Sequence, residues 1–323
     1  MSRFHAPSRA LVGAVVVLGA LFAVPVATLA AGPSASVQSS RMLVLFDITK
    51  GQLPENMVAA PHGALDVALN GAGEIAQVAS NGTFKVLGML PAPADGGVNT
   101  PLLKMAFMAG MARAANGTIY TLYSTGTAGQ SGVYRLEPGG IPQLIVSLPA
   151  DSLANELALD AATHELYISD SALGVVWRAP EAGGTAEIWA SGPPLAPTEF
   201  LGANGLKLHD HAIWVSNTDA GTIVRIPIES DGSAGPISTF ATGLATIDDF
   251  NFVGSGDEIV AALNRDNQVA LVAPNGSHSI LLDASDGLEG PTSIVVRSHT
   301  IYVASGGYFT GQNPNILIAQ LQG

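Results

Sequence analysis

One feature limits what this chain can fold into: a unit of three short, β-rich runs that recurs along the sequence. Its clearest copy has runs at 206–208, 213–216 and 222–228, separated by Gly, Asn and Asp. Runs this short, bounded by turn residues, are typical of antiparallel strands rather than of helices. Asn204 precedes the first run, and Asn217 closes the second.

The unit recurs every ~40–50 residues, a period typical of the four-stranded blades of a β-propeller. Counted from Glu55, six copies open near positions 54, 103, 154, 203, 248 and 291. The sequence therefore predicts an all-β, six-bladed β-propeller over residues 41–323. The last copy has room for only three strands. We expect residues 42–46 to supply its fourth strand and close the ring, which removes exposed sheet edges.

The N-terminal segment has the pattern of a secretory signal peptide, predicted over residues 1–31. Arg3 and Arg9 precede an apolar run that ends near Ala31, and small residues offer a cleavage site after Ala30. An uncleaved membrane anchor is the alternative, because the run is almost long enough to span a bilayer. Residues 32–40 are predicted to be a flexible linker. We expect a secreted or periplasmic protein, free of the membrane after cleavage.

Composition excludes several classes of function. Thirteen Lys and Arg against 26 Asp and Glu give a net charge of −13, which argues against a nucleic-acid partner. The absence of cysteine excludes disulfides, thiolate zinc sites and cysteine nucleophiles. There is no G-x-S-x-G nucleophile elbow, H-E-x-x-H helix or phosphate-binding G-x-x-x-x-G-K loop. We expect a monomer that acts on a small molecule.

The residues that open the innermost strand of each blade are the best candidates for a site. In a propeller these strands line the central channel, so their first residues converge on one face. The openings hold Glu55, Asn155, Asn204 and Asp248, with Asp249 beside the last. Carboxylate and amide oxygens suit a hard cation such as calcium or magnesium. The alternative is that these residues merely form turns at strand starts.

A second set of polar residues, Asp170, Asn217 and Asn264, closes the second strand of three blades and returns to the same face. These residues either bind substrate at the pocket mouth or cap strands. Four histidines lie in the turns after the innermost strands: His62, His164, His209 and His299. These turns are on the opposite face and are distributed around the ring, so we do not expect the histidines to bind one zinc ion together.

Taken together and in order, the segments 54–56, 154–155, 203–206, 247–250 and 291–293 resemble the gluconolactonase, regucalcin and luciferin-regenerating-enzyme family of six-bladed propellers, with kinship to strictosidine synthase-like proteins. The resemblance spans roughly residues 41–323.

The resemblance implies one divalent cation in the channel mouth, held by residues that match the family's ligands in order. Calcium is the expected ion, with magnesium, manganese or zinc as alternatives. The implied reaction is lactone hydrolysis, in which the metal polarises the carbonyl and the attacking water, and an Asp is the base. An ungapped match selects Asp248 as that Asp, whereas a shift of one residue selects Asp249. The matching ligands are Glu55, Asn155, Asn204 and Asp248.

Two residues depart from the family pattern. Sugar-lactone members tend to carry Arg two positions before the Asn of the third blade, where this chain has Leu153. Leu153 favours a less polar lactone or ester. Glu156 follows Asn155 where the family often has Asp-Gly. The competing hypotheses are a non-catalytic propeller that binds a ligand or a protein, and a strictosidine synthase-like enzyme.

Overall fold

The computed structural model describes Met1 and residues 36–322. These residues form a six-bladed β-propeller, so the predicted fold class is confirmed. The predicted signal peptide, residues 1–31, lies outside the described residues apart from Met1. Nowhere in the described part of the chain is there a helix long and apolar enough to cross a membrane.

Strands are numbered in chain order, and each blade is given from its innermost strand outward. The first blade contains β2 (Pro54–Ala59), β3 (Leu65–Leu69), β4 (Glu74–Val78) and β5 (Phe84–Met89). The second contains β6 (Phe107–Arg113), β7 (Ile119–Ser124), β8 (Gly132–Leu136) and β9 (Gln143–Ser147). The third contains β10 (Ala154–Asp160), β11 (Glu165–Asp170), β12 (Val175–Pro180) and β14 (Glu187–Ser191).

The fourth blade contains β15 (Ala203–His209), β16 (Ala212–Asn217), β17 (Thr222–Pro227) and β18 (Ser238–Ala241). The fifth contains β19 (Ile247–Phe252), β20 (Ile259–Leu263), β21 (Gln268–Val272) and β22 (His278–Leu282). The sixth contains β23 (Pro291–Arg297), β24 (Thr300–Ser305), β25 (Asn315–Gln322) and β1 (Ser36–Leu45). A two-residue strand, β13 (Gly184–Thr185), pairs in parallel with β9. Short 3₁₀ turns occupy Ile48–Lys50, Pro61–Gly63 and Ala284–Asp286.

The sixth blade is built from both ends of the described chain. β1 pairs antiparallel with β25, from Ser36 opposite Gln322 to Leu45 opposite Asn315. Because β1 begins at Ser36, residues 36–40 of the segment predicted to be a linker belong to a strand. The reason is physical: β25 extends to Gln322 and presents backbone groups that residues 36–40 satisfy.

Every innermost strand carries a β-bulge near its start, where the register with the second strand is interrupted. A bulge leaves residues unpaired and redirects their side chains, and bulges are common beside active sites. The interrupted residues are, in chain order, Glu55, Ala109-Gly110, Asn155-Glu156, Asn204-Gly205, Asp248-Asp249 and Thr292.

The second blade starts later than the sequence suggested. The copy predicted to open at 103–105 lies in a loop, and the innermost strand begins at Phe107. Leu102 and Lys104 have positive φ angles of 60° and 56°, which a strand does not tolerate. The apolar core lies between neighbouring blades, and strands such as β7 and β20 are buried along their whole length.

Candidate functional site

A cavity of about 670 Å³ opens on the face where the innermost strands begin. The structure brings the four residues predicted as cation ligands together in its lining: Glu55, Asn155, Asn204 and Asp248. Asn264, predicted as a substrate-binding residue, lines the same cavity. The converging ends of four innermost strands thus supply one polar floor.

The bulges explain how these side chains reach the cavity. At the bulges of the third, fourth and fifth blades two residues are unpaired, and the first of each pair lines the cavity. The second residue lies in the channel beneath. Gly205 takes that place in the fourth blade, where an added Cβ would lie 2.7 Å from the Asp248 carbonyl oxygen. The channel is therefore too narrow there for a side chain.

Hydrogen bonds fix the orientation of Asn204. Its Nδ2 donates to the Thr218 hydroxyl oxygen at 2.8 Å, and that hydroxyl donates to the Ile247 carbonyl at 2.7 Å. Oδ1 of Asn204 therefore faces away from these partners. Within the described structure, this oxygen and Oε2 of Glu55 are buried without a hydrogen-bond partner. Buried polar atoms are almost always paired, so these two oxygens mark a place that a cation would complete.

The carboxylates of the floor repel one another. Burial raises the pKa of Glu55 to about 8, and the charges of Glu156 and Asp249 add to the rise while a hydrogen bond from Tyr308 opposes it. Burial, then the Glu55 and Asp249 charges, raise the pKa of Asp248 well above its usual range. Nδ2 of Asn264 donates to Asp248 Oδ2 at 2.8 Å and holds that carboxyl in place.

Asp248, rather than Asp249, faces the cavity. Asp249 is held beneath the floor, where its Oδ1 lies 2.7 Å from the Lys207 ammonium. Its Oδ2 accepts hydrogen bonds from the Ser293 hydroxyl at 2.9 Å and from the Ile294 N–H at 3.1 Å. Both oxygens of Asp249 thus have partners inside the channel, and of the two residues that the sequence left open Asp248 is the one that lines the cavity.

Glu156 shares the same ammonium. Its Oε2 lies 3.0 Å from Lys207 Nζ and accepts from Asn56 Nδ2 at 2.6 Å. Burial raises the pKa of Glu156 to about 7, although Lys207 opposes the rise. Four carboxylates therefore lie within electrostatic reach of one another: Glu55, Glu156, Asp248 and Asp249. Of these, Lys207 pairs with two, Glu156 and Asp249.

Asp170 and Asn217 have the capping role, one of the two roles that the sequence allowed, and neither belongs to the cavity lining in the described structure. Asp170 is fully buried and accepts from the Leu153 N–H at 3.1 Å and from Trp177 Nε1 at 3.0 Å. Nδ2 of Asn217 donates to the carbonyls of Pro194 and Ala196, both at 3.0 Å. Both side chains form hydrogen bonds with groups of the protein itself, so their prediction as substrate-binding residues is not supported.

Sequence reasoning missed Tyr308 and Asn70, which also line the cavity. Nδ2 of Asn70 donates to the Tyr308 hydroxyl oxygen at 3.1 Å. Tyr308 stands outside the repeated unit, in the loop between β24 and β25. The preceding Gly306-Gly307 pair was the one signal available in the sequence.

The walls of the cavity are largely apolar. Among the described residues that line it, Arg265 is the one Lys or Arg, and its guanidinium lies 5.0 Å from the centre of the Phe309 ring. Asp219 fixes one wall, because its Oδ2 accepts from three consecutive N–H groups, at 198–200, within 2.8 Å. The apolar lining comprises Leu53, Leu103, Met105, Phe107, Leu153, Phe200, Leu201 and Phe309.

The side chains that could bind a metal in the cavity combine carboxylate oxygens with amide oxygens. No group of three or more His, Asp or Glu side chains within residues 36–322 is placed to hold a metal. A cation at the cavity floor would therefore take half of its four protein ligands from the amide oxygens of Asn155 and Asn204. Such a set suits a hard, oxygen-seeking ion and disfavours zinc, which prefers nitrogen and sulfur.

No family model matches the sequence, and no curated protein matches it. Solved structures do match. A calcium-binding regucalcin from Agrobacterium tumefaciens has a TM-score of 0.63 at 13% identity, covering 88% of this chain and 95% of that one. A gluconolactonase from Xanthomonas campestris has a TM-score of 0.60 at 15% identity, covering 90% and 98%. A virginiamycin B lyase from Staphylococcus aureus, crystallised with quinupristin, has a TM-score of 0.58 at 14% identity, covering 88% and 100%.

The resemblance to regucalcin and gluconolactonase, first seen in short sequence segments, is thus confirmed at the level of the fold. At these identities the similarity extends no further. Proteins named as a calcium binder, a lactonase and a lyase share the architecture, so function must be argued from the site.

Proposed function

We propose that this protein is a divalent-cation-dependent hydrolase of an apolar lactone or a related ester. The observation that carries the proposal is the charge at the cavity floor. Four buried carboxylates lie within electrostatic reach of one another, and the Lys207 ammonium pairs with two of them, Glu156 and Asp249. A buried carboxylate is paired, bound to a metal or neutralised by a proton, and calcium would take the place of the protons that the raised pKa values of Glu55 and Asp248 indicate.

Glu55, Asn155, Asn204 and Asp248 would hold this cation, and magnesium and manganese remain alternatives to calcium. When bound, it would supply Lewis-acid polarisation of the substrate carbonyl. Glu55 Oε2 and Asn204 Oδ1, two of the buried oxygens that have no hydrogen-bond partner in the described structure, support this choice of ligands.

Asp248 is the proposed general base. Water attacks the carbonyl carbon while Asp248 accepts its proton, which lowers the barrier to attack. The ester C–O bond then breaks, and the proton held by Asp248 passes to the leaving alkoxide. The products are one carboxylic acid, which releases its proton to solvent, and one alcohol; they are joined in a hydroxy acid if the substrate is a lactone. Asn264 holds Asp248 through Oδ2, which leaves Oδ1 for the reaction.

The walls favour an apolar substrate. Leu153 lines the cavity at the place where sugar-lactone relatives tend to carry Arg, and it is 1% exposed. Phe200 and Phe309 are exposed at 40% and 58%, and they extend the apolar wall to the cavity mouth. Secretion or periplasmic location, which the N-terminal sequence predicts, belongs to the same proposal.

The test is hydrolysis of a panel from sugar lactones to medium-chain acyl lactones, with and without chelator. We expect the acyl lactones to be cleaved faster, activity to vanish with chelator, and Asp248→Asn to lower kcat by ~10²–10⁴. Asp231→Asn removes the same charge from an exposed turn and should have no effect. Glu55→Gln should weaken cation binding, with activity partly restored by excess calcium.

Two outcomes would reject this function. Activity that is indifferent to both chelator and Asp248→Asn would exclude the mechanism. Binding of apolar ligands without turnover of any lactone or ester would favour a non-catalytic propeller. A lyase or strictosidine synthase-like reaction would be detected in the same panel as elimination or condensation products. None of the described lining residues is histidine, whereas a histidine-to-alanine variant inactivates the similar virginiamycin B lyase.

A further inference from the structure

The sixth blade contributes to the cavity through a loop rather than through its bulge. Its bulge residue, Thr292, donates its hydroxyl to the Pro54 carbonyl at 2.8 Å and is committed to the neighbouring blade. Tyr308, from the loop between β24 and β25, lines the cavity in its place. The sixth blade thus offers a phenol hydroxyl where four of the other blades offer carboxylate or amide oxygens.

Two glycines that precede Tyr308 determine where its side chain lies. An added Cβ on Gly306 would lie 2.5 Å from Cε2 of the Tyr308 ring, so only glycine leaves room for the ring there. Gly307 has a φ of +70°, in the left-handed region that favours glycine, and turns the chain so that the ring folds inward. Two consecutive glycines therefore hold one aromatic side chain in the cavity.

Hydrogen-bond polarity determines what the hydroxyl can do. Asn70 Oδ1 accepts from the Met108 N–H at 2.9 Å, so the opposite end of the amide, Nδ2, faces Tyr308 and donates to its oxygen at 3.1 Å. The Tyr308 oxygen is an acceptor in this pair, which leaves its own hydrogen for another partner. Both Tyr308 and Glu55 line the cavity, and Glu55 lies close enough for its charge to act on the phenol.

A tyrosine hydroxyl ordinarily ionises near a pH of about 10, so Tyr308 keeps its proton and is a donor at neutral pH. Burial raises its pKa well above the usual range, and the neighbouring Glu55 charge adds to the rise. A Glu55 carboxylate that coordinates a cation is a weaker acceptor, so the phenol hydrogen becomes available to a ligand above the floor.

We propose that Tyr308 is a catalytic residue that donates a hydrogen bond to the substrate carbonyl oxygen as negative charge develops on it. The inference rests on the proposed hydrolase function. Tyr308 keeps its proton throughout, while the proton of the attacking water goes to Asp248 and then to the leaving alkoxide. Its contribution is that of a preorganised oxyanion donor, whose removal typically costs ~10²–10³ in kcat.

Tyr308→Phe keeps the ring and removes the hydroxyl. We expect kcat to fall by ~10²–10³ with KM almost unchanged. Calcium affinity, measured by calorimetry, should change by less than about threefold, because calcium would bind Glu55 directly. Tyr302→Phe, in the same blade but outside the lining, is the matched control.

Asn70→Asp provides an independent variant. Its side chain still accepts from the Met108 N–H but no longer donates to Tyr308, so the phenol turns to donate to the new carboxylate. We expect a loss of kcat similar to that of Tyr308→Phe. Melting temperatures, measured in parallel, will show whether both variants fold.

A second readout separates this inference from the proposed function. Hexylphosphonate carries a tetrahedral anionic head and an apolar chain, and its Kd in the presence of calcium should rise about 10-fold or more in Tyr308→Phe. If the unmodified protein cleaves no lactone, the proposed function fails, yet this binding difference still tests the donor. Unchanged kcat and phosphonate binding in Tyr308→Phe would overturn the inference. A loss of calcium affinity that accounts for the loss of kcat would also overturn it, because Tyr308 would then only position Glu55.

Discussion

Lys207→Met removes the ammonium that pairs with Glu156 and Asp249 while keeping an unbranched apolar chain. In the structure Lys207 Nζ lies 3.0 Å from Glu156 and 2.7 Å from Asp249, whose side chains are 2% and 3% exposed. Removing one partner of a buried ion pair typically costs about 3–5 kcal/mol, because the other charge stays buried without compensation. For a domain of this size, that loss lowers the melting temperature by roughly 5–8 °C.

The loss should depend on pH in a defined direction. Burial already raises the pKa of Glu156 to about 7, and Lys207 opposes that rise. Without Lys207 the folded-state pKa rises further, while the unfolded-state pKa of Glu stays at about 4.3. An acidic group whose pKa is raised in the folded state does not lower stability below its unfolded-state pKa. It lowers the stability of the folded state as pH rises through its folded-state pKa. The deficit should therefore be small near pH 4 and largest at pH 8.

Urea denaturation of the full chain at pH 4.5 and pH 8 measures this effect. Lys85→Met, on the exposed strand β5, is the control for loss of a positive charge. The triple variant Lys207→Met/Glu156→Gln/Asp249→Asn should recover much of the stability at pH 8, because no buried charge is left unpaired. A deficit below about 0.5 kcal/mol at pH 8, or one that is the same at both pH values, would refute the reasoning.

Three further predictions concern the cavity and the ring. Leu153→Arg should raise kcat/KM for sugar lactones relative to acyl lactones, measured as a ratio of the two substrates in one preparation. Asp219→Ala should raise KM and lower the melting temperature. Burial acts to raise the pKa of Asp219, but hydrogen bonds from backbone N–H groups outweigh it and hold the pKa below its usual value. The decrease in melting temperature should therefore persist from pH 8 to about 5 and disappear below about pH 4. Deletion of residues 1–45 leaves the sixth blade with three strands and should abolish cooperative unfolding, followed by circular dichroism.

The fold was predictable because its signal is repeated. Turn residues and β-rich runs recur with one period, so errors in a single copy do not change the architecture. The second blade shows the limit. Leu103 and Met105 have the composition of a strand, yet they lie in a loop that lines the cavity, next to residues of positive φ. Composition alone does not distinguish a buried strand from an apolar cavity wall.

The candidate site was predictable to the extent that topology determines it. Strand starts converge on one face of any propeller, which brings Glu55 and Asp248 together whatever their chemistry. Which of Asp248 and Asp249 lines the cavity depends on the β-bulge, and no local sequence pattern predicts where that bulge falls. Asp170 shows a further limit, because a carboxylate that caps a loop and one that binds substrate look the same in a sequence.

Tyr308 could not be found from the repeat. It lies in a loop that belongs to one blade only, and its partner Asn70 comes from the opposite end of the chain. Only the closed ring brings the first and sixth blades together. The glycines at 306 and 307 indicate a special backbone conformation but do not indicate what it positions.

The central claim is that the cavity floor holds one divalent cation. Isothermal titration of the chelator-treated chain with calcium at pH 8 tests it without reference to any substrate. We predict one site per chain, release of protons on binding because Glu55 and Asp248 must ionise, and loss of the site in the double variant Glu55→Gln/Asp248→Asn. The absence of calcium, magnesium and manganese binding, or binding that survives in the double variant, would contradict the account.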